Sequence, residues 1–206
     1  TQEYLDDIKL FICRLDQRID RTSVGTSVGT STPIVQFDSV SYAGGGFGTF
    51  SHHGMIAAMY RTGRIDRTTV FYGTSLGAMF SVYSAYITSD IPVERKEKFR
   101  YDWTCIMIRY ICRSHMGWVE TFGRWEYTCE ALTRIISEDD MRYINGRVFI
   151  SITRLSPLPV NMMVSQFTSI DDLYNALIAS TNIPGFSCGV DSLTVKFRGY
   201  DTIDGG

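Results

Sequence analysis

Within the stretch VFYGTSLGAMF, residues 70–80, Ser75 is the central residue of Gly73-Thr74-Ser75-Leu76-Gly77, a G-x-S-x-G pattern between a short apolar run and a helical apolar pattern. Small residues on either side let a strand bend hard into a helix, which lifts the serine hydroxyl clear of a sheet at the helix N-terminus. That is where an acyl-transfer nucleophile is usefully held. Taken alone, the pentapeptide also reads as a Gly-rich strand–helix turn. A second Gly-rich stretch, AGGGFG at residues 43–48, likewise follows a strand pattern and precedes a helical one, so the amides of Gly44, Gly45 and Gly46 would face an anion.

Three chemistries compete for that second loop. A dinucleotide turn needs G-x-G-x-x-G with an acid about 20 residues on; Gly44 and Gly46 fit, Thr49 replaces the third glycine, and the next strand leads to Ser75 instead of an acid. A P-loop fails because no Gly-Lys-Ser/Thr follows. An oxyanion hole asks only for amides preorganised where charge develops on a tetrahedral intermediate, and Ser75 would generate that charge.

The missing part is a base. The chain has three histidines, His52, His53 and His115, and only His115 follows Ser75. An order of serine, acid, then histidine would have to end on His115 with much of the chain still to come, which is a poor match. His52 and His53 fall one turn into a helix, where packing or surface roles compete with catalysis. A carboxylate held within hydrogen-bond reach can take the serine proton directly. Asp204 is the candidate, at the end of a hairpin and followed by Gly205 and Gly206. Its competing reading is an Asp-Gly turn.

The elements that must position these residues follow from periodicity. Residues 34–43 alternate and are rich in β-branched and aromatic side chains, which predicts a strand ending at the glycine loop. Residues 50–60 read as a helix and 68–72 as a second strand. Leu76, Met79, Phe80, Tyr83, Tyr86 and Ile87 then trace one helical face. Two successive strand-turn-helix units predict an α/β sheet. Further along, the charged run at 94–100 precedes an aromatic, apolar segment at 101–118, which fits either a core helix or a cover over an acyl-chain groove. Arg95, Lys96, Lys98 and Arg100 in that run are either a solvated face or a contact for anionic headgroups. A helix is expected over 127–136. Residues 147–153 and 161–167 look like paired strands, Ser169 caps a helix through Ala179, and LTVKF and YDTI form a last hairpin that delivers Asp204.

Ahead of this lies a separate segment. Leu5, Ile8, Phe11, Ile12, Leu15 and Ile19 predict an amphipathic helix, and the Thr/Ser/Gly tract at 20–33 predicts a flexible linker, so the main domain is expected to occupy residues 34–206. A chain of 206 residues with 44% hydrophobic content supports one sizeable core. Twenty basic against 22 acidic residues leave no single-sign field, so no nucleic-acid partner is expected. Cys13, Cys105, Cys112, Cys129 and Cys188 are scattered, without C-x-x-C or close histidines, which points to reduced thiols, no metal site and a cytoplasmic setting. The sequence starts at Thr1 and stops at DTIDGG, as an excised segment would, with truncation expected at the C-terminal end.

In this order and context, GGGFG, GTSLG and DGG resemble the patatin-like phospholipases, and most of all their adiponutrin and adipose triglyceride lipase branch. VSYAGGGFGTFSHHGMIAAM is similar to that branch's first strand, loop and helix, and RVFISITRL, VSQFTSIDDLYNALIAS and NIPGF follow its later half. The resemblance covers roughly residues 34–206. It implies a three-layer α/β sandwich, with a mostly parallel central sheet and helices on both faces. It further implies a lipid acyl hydrolase of the phospholipase A or acylglycerol lipase type that works without metal or cofactor. Residue by residue, Ser75 matches the nucleophile, Asp204 the base, and Gly44, Gly45 and Gly46 the oxyanion loop, with Gly73, Gly77 and Gly205 as supporting glycines. The implied substrate is a phospholipid or acylglycerol, met at a membrane or lipid-droplet surface. Gly48 stands where the family often has a basic residue, and Thr49 where it has glycine. A protein that keeps the fold but binds or regulates lipid without catalysis is therefore the rival reading, and a nucleotide-binding domain is the third.

Overall fold

The computed structural model describes residues 35–45, 49–114, 124–187 and 193–206. The amphipathic helix and linker expected over residues 1–33 lie outside that set, as do Gly46 and His115.

In chain order the elements are β1 (Ser39–Tyr42), α1 (Thr49–Arg61), β2 (Val70–Gly73), α2 (Leu76–Ile87), α3 (Val93–Ser114) and α4 (Arg124–Arg134). A short 3-10 turn, Glu138–Tyr143, precedes β3 (Val148–Arg154), β4 (Val160–Val164), α5 (Ile170–Thr181), β5 (Val195–Phe197) and β6 (Tyr200–Asp204). The strands form one mixed sheet. β1, β2 and β3 run parallel, whereas β4 and β6 both pair antiparallel with β3, and β5 pairs antiparallel with β6.

Sequence chemistry explains the individual elements. The β5–β6 turn places Arg198 and Gly199 both at positive φ, 46° and 85°, as a two-residue type I′ hairpin requires. Ser169 caps α5 by accepting from the Asp172 N–H, with Asp171 and Asp172 in the first turn where the helix dipole favours them. α3 joins the charged run to the described part of the aromatic segment, through Ser114, in a single helix. Phe99, Trp103, Met107 and Tyr110 recur at i, i+4 or i, i+3 spacing and are buried, so this part of the segment is a core helix. Three cations of its charged run are taken up by carboxylates: Arg95 by the buried Asp140, Lys98 by Asp102 and Arg100 by Glu97.

α2 departs from the one-faced reading. All twelve of its residues are buried, including Ser81 and Ser84. Those two hydroxyls can be enclosed because each has a partner: Ser81 donates to the Gly77 carbonyl, and Ser84 shares a 2.9 Å hydrogen bond with Tyr42 on β1. A helix apolar all round and internally satisfied in this way is the central post of the domain. Its C-terminal end is fastened by Arg147, whose guanidinium donates to the carbonyls of Asp66, Thr69 and Ala85 and to the Thr88 hydroxyl.

Candidate active site

Hydrogen-bond parity in β3 shows how two distant segments are brought together. Phe71 N–H donates to the Arg147 carbonyl, and Leu155 N–H donates to the Asp201 carbonyl. Residues an even number apart in a strand present their polar groups to the same edge, so β2 and β6 share one edge of β3. They approach from opposite directions. β2 ends with Gly73 opposite Ile150, and β6 ends with Asp204 opposite Ile152. The C-terminal ends of both strands therefore meet at Ser151, and the residues that follow them, Thr74-Ser75 and Gly205-Gly206, fill the gap.

Ser75 occupies this junction with φ 54° and ψ −128°, a conformation that costs a non-glycine residue free energy. Neighbouring glycines make the bend sterically available. A Cβ on Gly73 would lie 2.2 Å from the Gly77 carbonyl oxygen, and one on Gly77 would lie 2.1 Å from the Tyr42 oxygen. The two glycines of G-x-S-x-G are thus demanded by backbone packing, the first against the start of α2 and the second against the end of β1. Ser75 itself is nearly enclosed, at 7% exposure.

Asp204 is held by three contacts. Its N–H donates to the Asn182 carbonyl at 2.8 Å, its Oδ1 accepts from the Gly206 N–H at 2.8 Å, and the Thr74 hydroxyl makes a longer approach to Oδ1 at 3.4 Å. Oδ2 is buried and, among the described residues, has no hydrogen-bond partner. Burial pushes the Asp204 carboxyl above its ordinary value, and donation from Gly206 N–H, the Ser75 hydroxyl and the Thr74 hydroxyl offsets part of that rise. The Ser75 hydroxyl is thus among the groups that act on this carboxyl. The next residue is anchored as well: the Gly205 carbonyl accepts from the Ser151 hydroxyl and from Asn161 Nδ2.

Of the glycine loop, Gly44 lies directly against the site, where a Cβ would be 3.2 Å from that of Ser75. Gly45 is exposed, with nothing among the described residues within 4 Å of a Cβ. The two described histidines are occupied elsewhere. His52 hydrogen bonds the Ala43 carbonyl and stacks on Phe80, and His53 packs against Tyr83 beside the Thr104 hydroxyl. Among the described residues, no three His, Cys, Asp or Glu side chains gather as metal ligands, and no helix is long and apolar enough to cross a membrane.

Two residues of the site were invisible to sequence reasoning. Ser180, at the end of α5 and fully buried, accepts from the Ser75 N–H at 3.0 Å and donates to the Ser151 carbonyl at 2.7 Å. Asn182, two residues on, supplies the carbonyl that takes the Asp204 N–H. A serine near a helix end is commonplace, and nothing in the local pattern marks it.

Comparison with known proteins gives one family model, described as patatin-like phospholipase, which matches residues 40–206. The chain is 28% identical over 171 residues to the human omega-hydroxyceramide transacylase, a match covering 82% of this chain and 30% of that protein. Human 1-acylglycerol-3-phosphate O-acyltransferase PNPLA3 is likewise 28% identical over 171 residues, covering 82% and 33%, and the mouse protein of that name is 31% identical over 173 residues, covering 82% and 39%. The chain thus spans roughly a third of the length of these curated relatives. No solved structure matches it significantly. The mixed sheet, with its parallel β1–β2–β3 run and packed helices, is the three-layer α/β sandwich that the resemblance implied.

Proposed function

Because the chain belongs to the patatin-like phospholipase family, we propose that it is a lipid acyl hydrolase acting through Ser75 and Asp204. The observation that carries this reading is the meeting of a strained serine turn with a buried carboxylate oxygen, Asp204 Oδ2, that has no other partner among the described residues. An enclosed acceptor beside a hydroxyl has one obvious use: it takes that hydroxyl's proton.

On this reading, Ser75 Oγ attacks the carbonyl carbon of a phospholipid or acylglycerol ester while its proton passes to Asp204 Oδ2. The amides of Gly44, Gly45 and Gly46 donate to the oxyanion so formed. Collapse breaks the ester C–O bond, and the departing alkoxide leaves as the alcohol with the proton from Asp204. Water then adds to the acyl-Ser75 ester as Asp204 takes its proton, and collapse returns that proton to Ser75 Oγ with release of the fatty acid. Every step needs only these side chains and amides. Such an enzyme would meet its substrate at a membrane or lipid-droplet surface.

The relatives' names favour a second fate for the acyl group, since each denotes transfer to a hydroxyl acceptor instead of to water. Both outcomes share the acyl-Ser75 intermediate and diverge only in what attacks it. A fluorophosphonate probe tests the shared part. Wild type should label at Ser75 and Ser75→Ala should not. A folded wild-type protein that does not label would sink the catalytic reading and favour the lipid-binding alternative.

A further inference from the structure

We propose that Ser180 is a positioning residue for the Ser75–Asp204 pair, its hydroxyl being spliced into the sheet's own ladder to create the turn that exposes Ser75. The inference rests on the hydrolase reading and extends it to a residue that touches no reacting atom.

Ladder register shows where the hydroxyl is inserted. In the parallel pairing of β2 with β3, Phe71 N–H donates to the Arg147 carbonyl, and the partners advance as Phe71↔Val148, Tyr72↔Phe149 and Gly73↔Ile150. Rungs of a parallel ladder recur every second residue on each strand. The next rungs therefore run from Gly73 N–H to the Phe149 carbonyl, and from Ser75 N–H to the Ser151 carbonyl. The second of these does not form directly. The Ser75 N–H instead meets Ser180 Oγ at 3.0 Å, and the same hydroxyl donates to the Ser151 carbonyl at 2.7 Å.

One hydroxyl thus replaces a direct rung with a relay. Donor and acceptor are both satisfied, but they stand a hydroxyl's width further apart than strand pairing allows. That extra separation lets the chain leave the sheet at Thr74 and enter α2 at Leu76. It also keeps Ser75 at positive φ, because a direct rung would draw the residue back toward extended backbone. Hydroxyl chemistry suits the task, since a single atom must both accept and donate. Ser180 is 0% exposed, so no bulk water competes for either bond.

The same helix end sets the other half of the pair. Two residues beyond Ser180, the Asn182 carbonyl accepts the Asp204 N–H at 2.8 Å. The last turn of α5 therefore fixes the backbone of both Ser75 and Asp204, and Ser180 is its contact with the nucleophile.

The test compares Ser180→Ala, Ser180→Cys and, as a control of matched burial, Ser89→Ala. Ser89 is 2% exposed and donates to the Tyr86 carbonyl at the far end of α2. The readouts are the fluorophosphonate labelling rate, kcat and KM on a soluble ester, and amide hydrogen exchange of the peptide spanning residues 73–77. Ser180→Ala should lower kcat and labelling about 10- to 100-fold with KM changed little, because the loss is of position and not of substrate contact. Exchange at 73–77 should rise. Ser180→Cys, nearly isosteric but a weaker donor and acceptor, should fall between Ala and wild type, and Ser89→Ala should label as wild type does. Labelling and kcat within twofold of wild type in a folded Ser180→Ala protein would overturn the proposal. If wild type itself does not label, the hydrolase reading fails separately, and unchanged exchange at 73–77 in Ser180→Ala would overturn the relay on its own.

Discussion

Replacing Gly77 by alanine sets two effects of opposite sign against each other. Gly77 lies in the first turn of α2, where alanine's intrinsic helix preference offers up to about 1 kcal/mol. The new Cβ, however, would lie 2.1 Å from the Tyr42 carbonyl oxygen, more than an ångström short of ordinary contact, and 2.7 Å from that of Ala43. Both obstacles are backbone at the end of β1, so no side chain can swing aside. Interiors are close-packed, and overpacking of this kind costs about 1–3 kcal/mol. The contact should win by up to about 2 kcal/mol, which for a domain of this size lowers Tm by up to about 8 °C.

The displacement carries a second consequence. Moving the start of α2 off β1 by an ångström moves Ser75 relative to Gly44 and Asp204, and a misplacement of that size costs on the order of 100-fold in rate. Gly54→Ala is the matched control. Gly54 lies mid-helix in α1, exposed, with nothing among the described residues within 4 Å of a Cβ. There, propensity acts unopposed and should raise stability by about 1 kcal/mol. Scanning calorimetry and fluorophosphonate labelling of both variants test the reasoning. A Gly77→Ala protein that melts at or above wild type and labels at the wild-type rate would refute the close approach and the account of the motif built on it.

Other perturbations separate chemistry from folding. Asp204→Asn should abolish labelling while melting no lower than wild type at pH 7. The folded-state value of Asp204 is raised by burial, so its contribution to stability is greatest at low pH and is lost as pH rises through that value, leaving the ionised carboxylate a cost at neutrality. By the same shift, the acid limb of kcat/KM should have its midpoint above 3.8, the ordinary value; a midpoint at or below it would remove Asp204 as the base. Arg147→Met should leave the carbonyls of Asp66, Thr69 and Ala85 without their donor and cost more than ~2 kcal/mol in urea unfolding, with any surviving folded protein still labelling at Ser75.

The amino-acid sequence by itself determined the elements and the three motifs. A helix from Leu76 to Ile87, the Ser169 cap, the strand beginning near Val148 and the Arg198-Gly199 turn all follow from contacts between residues two to four apart, so local pattern is enough to specify them. It also marked Ser75 and Asp204 as candidates by residue type and neighbouring glycines. Tertiary structure decided how they meet. That β2 and β6 share an edge of β3 and end on either side of Ser151 depends on ladder register between residues 77 apart for β2 and β3 and 48 to 52 apart for β3 and β6, for which no spacing rule exists. The same holds for Ser180, an ordinary helix-end serine whose role exists only because α5 delivers its hydroxyl between Ser75 and Ser151. It holds for the full burial of α2 as well, since one apolar face is all that local periodicity encodes, and the hydroxyl partners that let Ser81 and Ser84 go inside are set by packing.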